Sequence, residues 1–174
     1  MKPVIAERMT AVRDDGVVVF LIGMRINRWW KIHRWLPVAL AMPRMMRELA
    51  SRPDAGLLGS ISMGTTMVQY WESAEKLLAY ASDRTGAHFP AWAEFYRRVG
   101  KNGDVGIWHE TYMVPRHNFE SVYVNMPAHG MGTFAKLEPA HGKRARAAER
   151  LGVPPLESHT ADAISGASPA RNLA

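Results

Sequence analysis

The sequence predicts an α+β fold in which an antiparallel sheet carries helices on one of its faces. Three observations support this fold class: an apolar, β-branched run at residues 17–26, a hairpin pattern at residues 57–71, and a third strand pattern at residues 106–114 that follows helical segments. The chain has 174 residues, of which 47% are apolar and 22% charged, so it is long enough to bury a core. The element order βαββαβ is the ferredoxin-like arrangement, with both helices on one face of the sheet.

The first half of the chain supplies three of the strands and one helix. Residues 17–26, VVVFLIGMRI, are apolar almost throughout, as expected of a strand buried on both faces. Residues 29–49 place apolar side chains at helical spacing, interrupted by Pro37 and Pro43, so one kinked helix or two short helices fit. The stretches LLGSISMG and TTMVQYW then predict an antiparallel hairpin that turns near Gly64.

The second half adds the remaining helical segments and strands. Ser73 occupies the N-cap position before AEKLLAYAS, although Lys76 replaces the Glu of a full capping box. A second helical piece runs from about residue 88 to residue 99, with Pro90 in its first turn. The strand GIWHETYMV follows at residues 106–114, and FESVYVNM is predicted to be a further strand or an extended arm.

The predicted organisation has three parts: an N-terminal arm at residues 1–15, a ferredoxin-like domain at residues 16–135, and a basic helix or arm with a flexible tail at residues 136–174. The last part is rich in Gly, Ala, Pro and charge and includes KRARAAER, so it has too little apolar content to pack a core. Helices on one sheet face leave the other face bare, and a second copy of the sheet would cover it economically. We therefore expect a homodimer that forms a dimeric α+β barrel.

Composition excludes several classes of protein. The absence of cysteine removes disulfides, thiolate metal ligands, cysteine nucleophiles and CxxCH haem attachment. The seven histidines show no HxH or HxxxH spacing, and the sequence has no GxGxxG, P-loop or GxSxG motif. The net charge is +6, but no nucleic-acid-binding motif accompanies it, so we predict no nucleic-acid partner. The N-terminus has no signal-peptide pattern, which favours a cytoplasmic protein.

His109 and Glu110 are neighbours in sequence, yet a strand would separate them. Alternate side chains of a strand point to opposite faces, so His109 shares a face with Thr111 and Met113 while Glu110 shares the other with Trp108. The two residues therefore do not form a catalytic dyad. His109 is either a strand histidine bonded to nearby polar groups or an acid-base group in the space between sheet and helices.

His88 gives that space a second imidazole. It stands at the predicted start of the helix before the His109 strand, so helix and strand offer two histidines to the same space. The aromatic residues near them in sequence would line it as a flat apolar cofactor requires, or would simply pack an ordinary core. These aromatic residues are Phe89, Trp92, Phe95, Tyr96 and Trp108.

The segment YWESAEKLLAYASDRTGAHFPAWAEFYRRVGKNGDVGIWHETYMV resembles the haem-binding half of the aldoxime dehydratases, which are haem enzymes of the dimeric α+β barrel type. By position in the motif, His88 matches their proximal iron ligand and His109, in WHET, matches their distal acid-base histidine. The resemblance thus implies haem b as cofactor. Those enzymes have two ferredoxin-like repeats and this chain has one, so their distal serine and arginine have no fixed counterpart; Ser60, Ser62 and Arg25 are the candidates.

The wider stretch at residues 17–131 resembles the monooxygenase-like family associated with fumagillin-type biosynthesis, within the antibiotic-biosynthesis-monooxygenase superfamily. The features that carry this resemblance are YWES, the helix with its His, Trp and Phe, GIWHETY, and FESVYVNMPAHGMG. The resemblance implies a small-molecule enzyme.

The sequence is compatible with three functions. The first is a haem enzyme in which His88 is the axial ligand, Trp92, Trp108 and Met113 contact the cofactor, and His109 moves a proton. Thr111 and Tyr112 line its substrate pocket together with Trp71, Ser60, Ser62 and Arg25, and the haem propionates meet Arg84, Arg97 or Arg98.

The second function is a cofactor-independent monooxygenase in which Trp71, His109 and Tyr112 bind and deprotonate an activated substrate. The third is a dimer that binds haem or another ligand without catalysis, or that lies on a membrane surface through INRWWKIHRWLPVALAMPRMMREL. For that segment we favour a core helix, whose basic residues lie along its solvent-exposed side, over a helix that contacts a membrane.

Overall fold

A computed structural model describes residues 3–86 and 88–154 of the chain. Within these residues, six strands and four α-helices follow one another along the chain. The strands are β1 (Met9–Val12), β2 (Val17–Ile26), β3 (Leu57–Met63), β4 (Thr66–Trp71), β5 (Val105–Val114) and β6 (Lys136–Pro139). The helices are α1 (Ile32–Ala50), α2 (Ala74–Ser82), α3 (His88–Arg98) and α4 (Ala147–Leu151).

The main sheet has four strands in the order β3-β4-β2-β5, and every neighbouring pair is antiparallel. This order and the two helical connections are consistent with the predicted ferredoxin-like α+β fold. β5 lies at one edge of the sheet and pairs with β2 along its whole length, from Val17 opposite Val114 to Ile26 opposite Val105. That register fixes which β5 side chains share a face with which β2 side chains.

The predicted kinked helix is a single helix, α1, which contains both Pro37 and Pro43. Ser73 caps α2 as predicted, because its hydroxyl accepts a hydrogen bond from the backbone N–H of Lys76 at 3.3 Å. α3 ends one residue before the predicted limit. Segment 119–126 forms no strand of the main sheet, and single bridges tie Tyr123 to Met9 and Met126 to Ile5.

One face of the main sheet packs against α1 and α2, and we call its buried cluster the helix-side core. Its members are Val18, Leu49, Trp71, Leu77 and Tyr80. Because Leu49 belongs to α1 and Leu77 to α2, both helices lie on the same face, as predicted. This core is concentrated at the Val18 end of the sheet.

The opposite face of the sheet is covered in part by the chain itself. β1 and β6 form a two-stranded antiparallel sheet, which joins the predicted N-terminal arm to the segment after residue 135. Together with residues 119–135 they bury Ala11, Val17 and Met131. Of the predicted C-terminal part at residues 136–174, the stretch from residue 155 onward lies outside the described residues.

Candidate functional site

The β2–β5 register divides the predicted site residues between the two faces of the sheet. His109 lies opposite Ile22, Thr111 opposite Phe20, and Met113 opposite Val18, and Val18 belongs to the helix-side core. Ser60 and Ser62 share this face, because they lie opposite Gln69 and Met67. The register therefore gathers the helix-side candidates on one surface: Ser60, Ser62, Trp71, His109, Thr111 and Met113.

The other strand residues point away from the helices. Trp108 lies opposite Gly23, Tyr112 opposite Val19, and Arg25 opposite Gly106, all on the face that carries the β1–β6 sheet. Tyr112 donates a hydrogen bond to Glu110 Oε2 at 2.6 Å, and this bond to a carboxylate raises the pKa of the Tyr112 hydroxyl. His109 and Tyr112 therefore do not converge on one ligand within a single chain.

His109 lies at the open edge of the helix-side face. Its side chain is exposed, and its ring packs against Phe20 with the ring centroids 5.5 Å apart. No hydrogen bond holds the imidazole within the described part of the chain. An imidazole with one apolar wall and access to solvent can exchange protons with both a ligand and water.

His88 begins α3 and is half-buried. Its Nδ1 lies 2.9 Å from the carbonyl oxygen of Ala81, and because a carbonyl only accepts, Nδ1 carries the proton and donates. In the neutral ring this bond places the lone pair on Nε2, and no hydrogen bond to that atom occurs among the described residues. The ring also contacts Tyr80, at 5.9 Å between centroids.

A charged network holds the end of α2, the helix whose Ala81 carbonyl accepts from His88. Arg52 Nη1 lies 2.9 Å from Asp83 Oδ2 and 3.3 Å from Glu48 Oε1, which ties the end of α1 to the end of α2. Tyr80 donates to Glu48 Oε2 at 3.2 Å, and burial, followed by the charge of Glu48, raises the pKa of Tyr80. Hydrogen bonds from Thr85, and then Arg52, lower the pKa of Asp83.

Aromatic side chains continue from His88 along α3. Trp92 and Tyr96 follow it at intervals of four residues, which places the three side chains on one helix face. Trp92 stacks on Phe95 with an interplanar angle of 13° and meets Tyr96 edge-on. Both Trp92 and Tyr96 are exposed, so α3 presents an aromatic stripe to the surroundings.

The structure does not bring His88 and His109 into direct contact within the described residues. A chain of neighbours joins them across the helix-side core. Tyr80 contacts Trp71 with the ring centroids 5.7 Å apart, and the Trp71 indole donates to Gln69 Oε1 at 2.9 Å. Gln69 is in turn the cross-strand partner of Phe20, which contacts His109.

Two residues of the helix-side surface, Trp71 and Gln69, are buried. Trp71, a predicted pocket residue, is 0% exposed and forms the centre of the helix-side core. Gln69 was not singled out from the sequence, yet it is only 4% exposed. The available signal was its position in TTMVQYW, where a polar residue shares a strand face with Met67 and Trp71.

A cavity of about 530 Å³ lies at the end of β2 and β5, between Gly16, Glu72 and Met113. Neither His88 nor His109 lines it. Its walls come mainly from turn residues and helix-start residues, so it offers no imidazole for acid-base chemistry. We therefore centre the candidate site on His109 and the helix-side face, not on this cavity.

Comparison with known proteins assigns the family. The model of the monooxygenase af470-like family matches residues 17–131, from the start of β2 to the segment that covers the opposite face. The chain belongs to this family. The match includes both His88 and His109, and it confirms the predicted monooxygenase-like family, whereas the resemblance to aldoxime dehydratases stays a prediction.

Among solved structures, this af470-like chain is similar to a conserved protein of unknown function from Bacteroides thetaiotaomicron VPI-5482, described as a possible oxidoreductase. It shares 12% sequence identity, the alignment covers 58% of this chain and 99% of that chain, and the TM-score is 0.38. Similarity at this identity and TM-score does not indicate a shared function. No curated protein matches the chain.

Two further structural findings concern membrane-spanning helices and metal-ion sites. No helix among the described residues is both long and apolar enough to cross a membrane. No cluster of three or more His, Asp or Glu side chains in the same part of the chain is arranged to hold a metal ion. A haem site differs from such a cluster, because one axial imidazole is enough to attach it.

Proposed function

We propose that this af470-like protein is a haem-binding oxidoreductase for a small apolar molecule, with His88 as the axial ligand and His109 as the group that moves a proton. The observation that carries the proposal is the hydrogen bond from His88 Nδ1 to the Ala81 carbonyl. Histidines that bind metal usually donate their other ring N–H in this way, which fixes the tautomer and makes the free nitrogen more basic. When bound, haem b supplies redox-active iron.

The surroundings of His88 suit a flat apolar group. The exposed aromatic stripe of α3 begins at His88 and continues through Trp92 and Tyr96, so a macrocycle attached to Nε2 would lie beside aromatic faces. Arg84 lies near the same end of α3, with its guanidinium 5.5 Å from the Phe89 ring centroid. A propionate would pair with this exposed cation.

Of the other two arginine candidates, Arg97 is bound to Glu94 at 2.7 Å, which leaves it less available than Arg84. The side chain of Arg98 lies outside the described residues. We assign the propionate role to Arg84, because its guanidinium is exposed and lies beside Phe89 at the start of α3.

His109 supplies the proton chemistry in this proposal. Its ring packs on Phe20 at one side and meets solvent at the other, so it can pass a proton between water and a substrate on the helix-side face. Thr111 shares this face and offers a hydroxyl that both donates and accepts hydrogen bonds.

We also propose that the functional unit is a homodimer. The β1–β6 sheet and residues 119–135 bury the Val17 end of the opposite face, and the surface beyond it carries exposed side chains of the edge strand β5. We call this part the open half; its residues are Leu21, Gly23, Val68, Trp108, Glu110 and Tyr112. Trp108 is 39% exposed and Tyr112 is 50% exposed on the edge strand β5, and a second copy offers the same surface, apolar except for Glu110, in return.

An absorbance spectrum of the protein expressed with haem precursor tests the haem proposal. We expect a Soret band in the wild-type chain that disappears in His88→Ala and is shifted but retained in His109→Ala. His129→Ala serves as the matched control, because His129 is an exposed histidine outside both elements, and it should leave the band unchanged. A colourless protein that also fails to bind added haemin would reject haem and leave cofactor-independent oxygenation as the function to test.

A further inference from the structure

Gln69 is a buried amide whose orientation is fixed. Its side chain is 4% exposed, and the indole Nε1–H of Trp71 donates to its Oε1 at 2.9 Å. An indole nitrogen only donates, so the atom that faces Trp71 must be the amide oxygen. The amide nitrogen, Nε2, consequently points away from Trp71 and toward α1.

The partners of that nitrogen are three thioether sulfurs. Nε2 lies 3.8 Å from Met42, 3.6 Å from Met46 and 3.7 Å from Met67. Sulfur of this kind is a weak acceptor, whereas buried amide donors normally meet an oxygen. Methionine side chains also change conformation easily, so these three can move aside for a ligand.

The register places Gln69 on the same surface as His109. Gln69, Phe20 and Thr111 form one row across β4, β2 and β5, and Met67, Ile22 and His109 form the next row. Two strand spacings separate β4 from β5, which is roughly 10 Å. Gln69 and His109 thus lie on opposite sides of an apolar strip made by Phe20 and Ile22.

We infer that Gln69 Nε2 binds an acceptor oxygen of the substrate, and that the substrate is an apolar ring compound that reaches from Gln69 toward His109. The inference rests on the proposed function, because it takes the helix-side face as the place where the substrate binds. The ring system lies against Phe20 and Ile22, the oxygen accepts from Nε2, and Trp71 holds the amide in position. Gln69 thereby selects for compounds with an oxygen at one end.

A pair of two-ring probes separates this role from ordinary core packing. The probes are 1-tetralone, which has one ketone oxygen, and tetralin, which has none. We expect the wild-type chain to bind 1-tetralone about three- to tenfold more tightly than tetralin, as for one hydrogen bond. In the ¹⁵N-labelled protein, the side-chain amide signals of Gln69, assigned through contacts with the methionine methyl groups, should shift on addition of the ketone and not of tetralin.

Two variants complete the experiment. Gln69→Met removes the donor at similar volume and should abolish the preference for the ketone, while Met46→Leu keeps the donor and should retain it. Equal affinity of the two probes for the wild-type chain, binding of neither, or an unmoved Gln69 amide signal overturns the inference, whether or not Gln69→Met folds. A His88-dependent Soret band together with equal probe affinities would reject this inference alone, and a ketone preference without any Soret band would reject only the haem proposal.

Discussion

Gly23 of β2 and Trp108 of β5 lie directly opposite each other, and the indole ring covers the glycine. A Cβ atom added at Gly23 would stand 2.6 Å from Trp108 Nε1 and 2.7 Å from Cε2. A glycine is therefore needed for the ring to lie flat on the strand. This contact sets the shape of the open half, where we propose that a second copy docks.

Gly23→Ala should displace the Trp108 ring and destabilise the chain. The ring is partly exposed and has room to move, so we expect a loss of about 1 kcal/mol, at the lower end of overpacking costs. Trp108 fluorescence should shift as its surroundings change. Gly106→Ala is the matched control, because the nearest atom to its added Cβ is 3.8 Å away. Equal effects of the two alanines on stability would contradict the contact.

Tyr112→Glu should prevent dimer formation. Glu110 already lies on the open half and accepts from Tyr112, so Tyr112→Glu removes that hydrogen bond and sets two carboxylates side by side. Both charges would have to be desolvated when the second sheet covers them, and the symmetric arrangement brings the change twice into the interface. We expect light scattering to give a dimer mass for the wild-type chain and a monomer mass for Tyr112→Glu. The control, Tyr96→Glu, changes an exposed tyrosine on α3 and should remain dimeric. A monomeric wild-type chain would reject the dimer.

Asp104 predicts a pH dependence of stability. Its side chain is 1% exposed and binds Lys31 Nζ at 3.0 Å and Arg28 Nη1 at 2.9 Å, so it joins the start of α1 to the start of β5. Burial opposes its ionisation, but the hydrogen bond and charge of Lys31, with those of Arg28, outweigh burial and lower its pKa. The ionised form therefore stabilises the fold.

The sign of this effect follows from the lowered pKa. The stabilisation is fully present above the unfolded-state pKa of about 3.9 and is lost as pH falls through the lower folded-state pKa. Asp104→Asn should lower the melting temperature at neutral pH, and its difference from the wild-type chain should shrink on acidification below about pH 4. Asp14→Asn, at an exposed ion pair, should stay close to the wild-type chain. A constant difference for Asp104→Asn at every pH would contradict this role.

Ser73→Ala tests the cap of α2. The substitution removes the acceptor for the backbone N–H of Lys76, and we expect the free energy of unfolding to fall by about 1 kcal/mol. Ser82→Ala, at the other end of the same helix, should change it by less than about 0.5 kcal/mol. Chemical denaturation of both variants measures the difference, and similar losses would show that the hydroxyl of Ser73 has no capping role.

Much of the fold was predictable because its signals are local. The alternation in GIWHETYMV predicted that His109 and Glu110 point to opposite faces, and the β2–β5 register confirms it. The Ser73 cap and the turn at Gly64 were likewise predictable from short stretches of sequence. The monooxygenase-like family was recognisable from the motifs in residues 17–131, and the family match confirms it.

Other features depended on contacts between distant parts of the chain. The pairing of β1 with β6 joins Met9 to Pro139, and no local pattern indicates which segments meet over such a separation. The same holds for Asp104, whose two cationic partners lie more than seventy positions away. Contacts of this kind are decided by packing of the whole domain.

The sequence by itself determined the order of the elements, the two faces of β5 and the histidines that are candidates for chemistry, because periodicity and capping act over a few residues. Only the tertiary structure decided that Gln69 is held by Trp71 among three methionine sulfurs, and that His88 donates from Nδ1 to Ala81. Orientation of a polar side chain depends on which partner reaches it in space. That partner is chosen by packing, which the sequence encodes only through the complete fold.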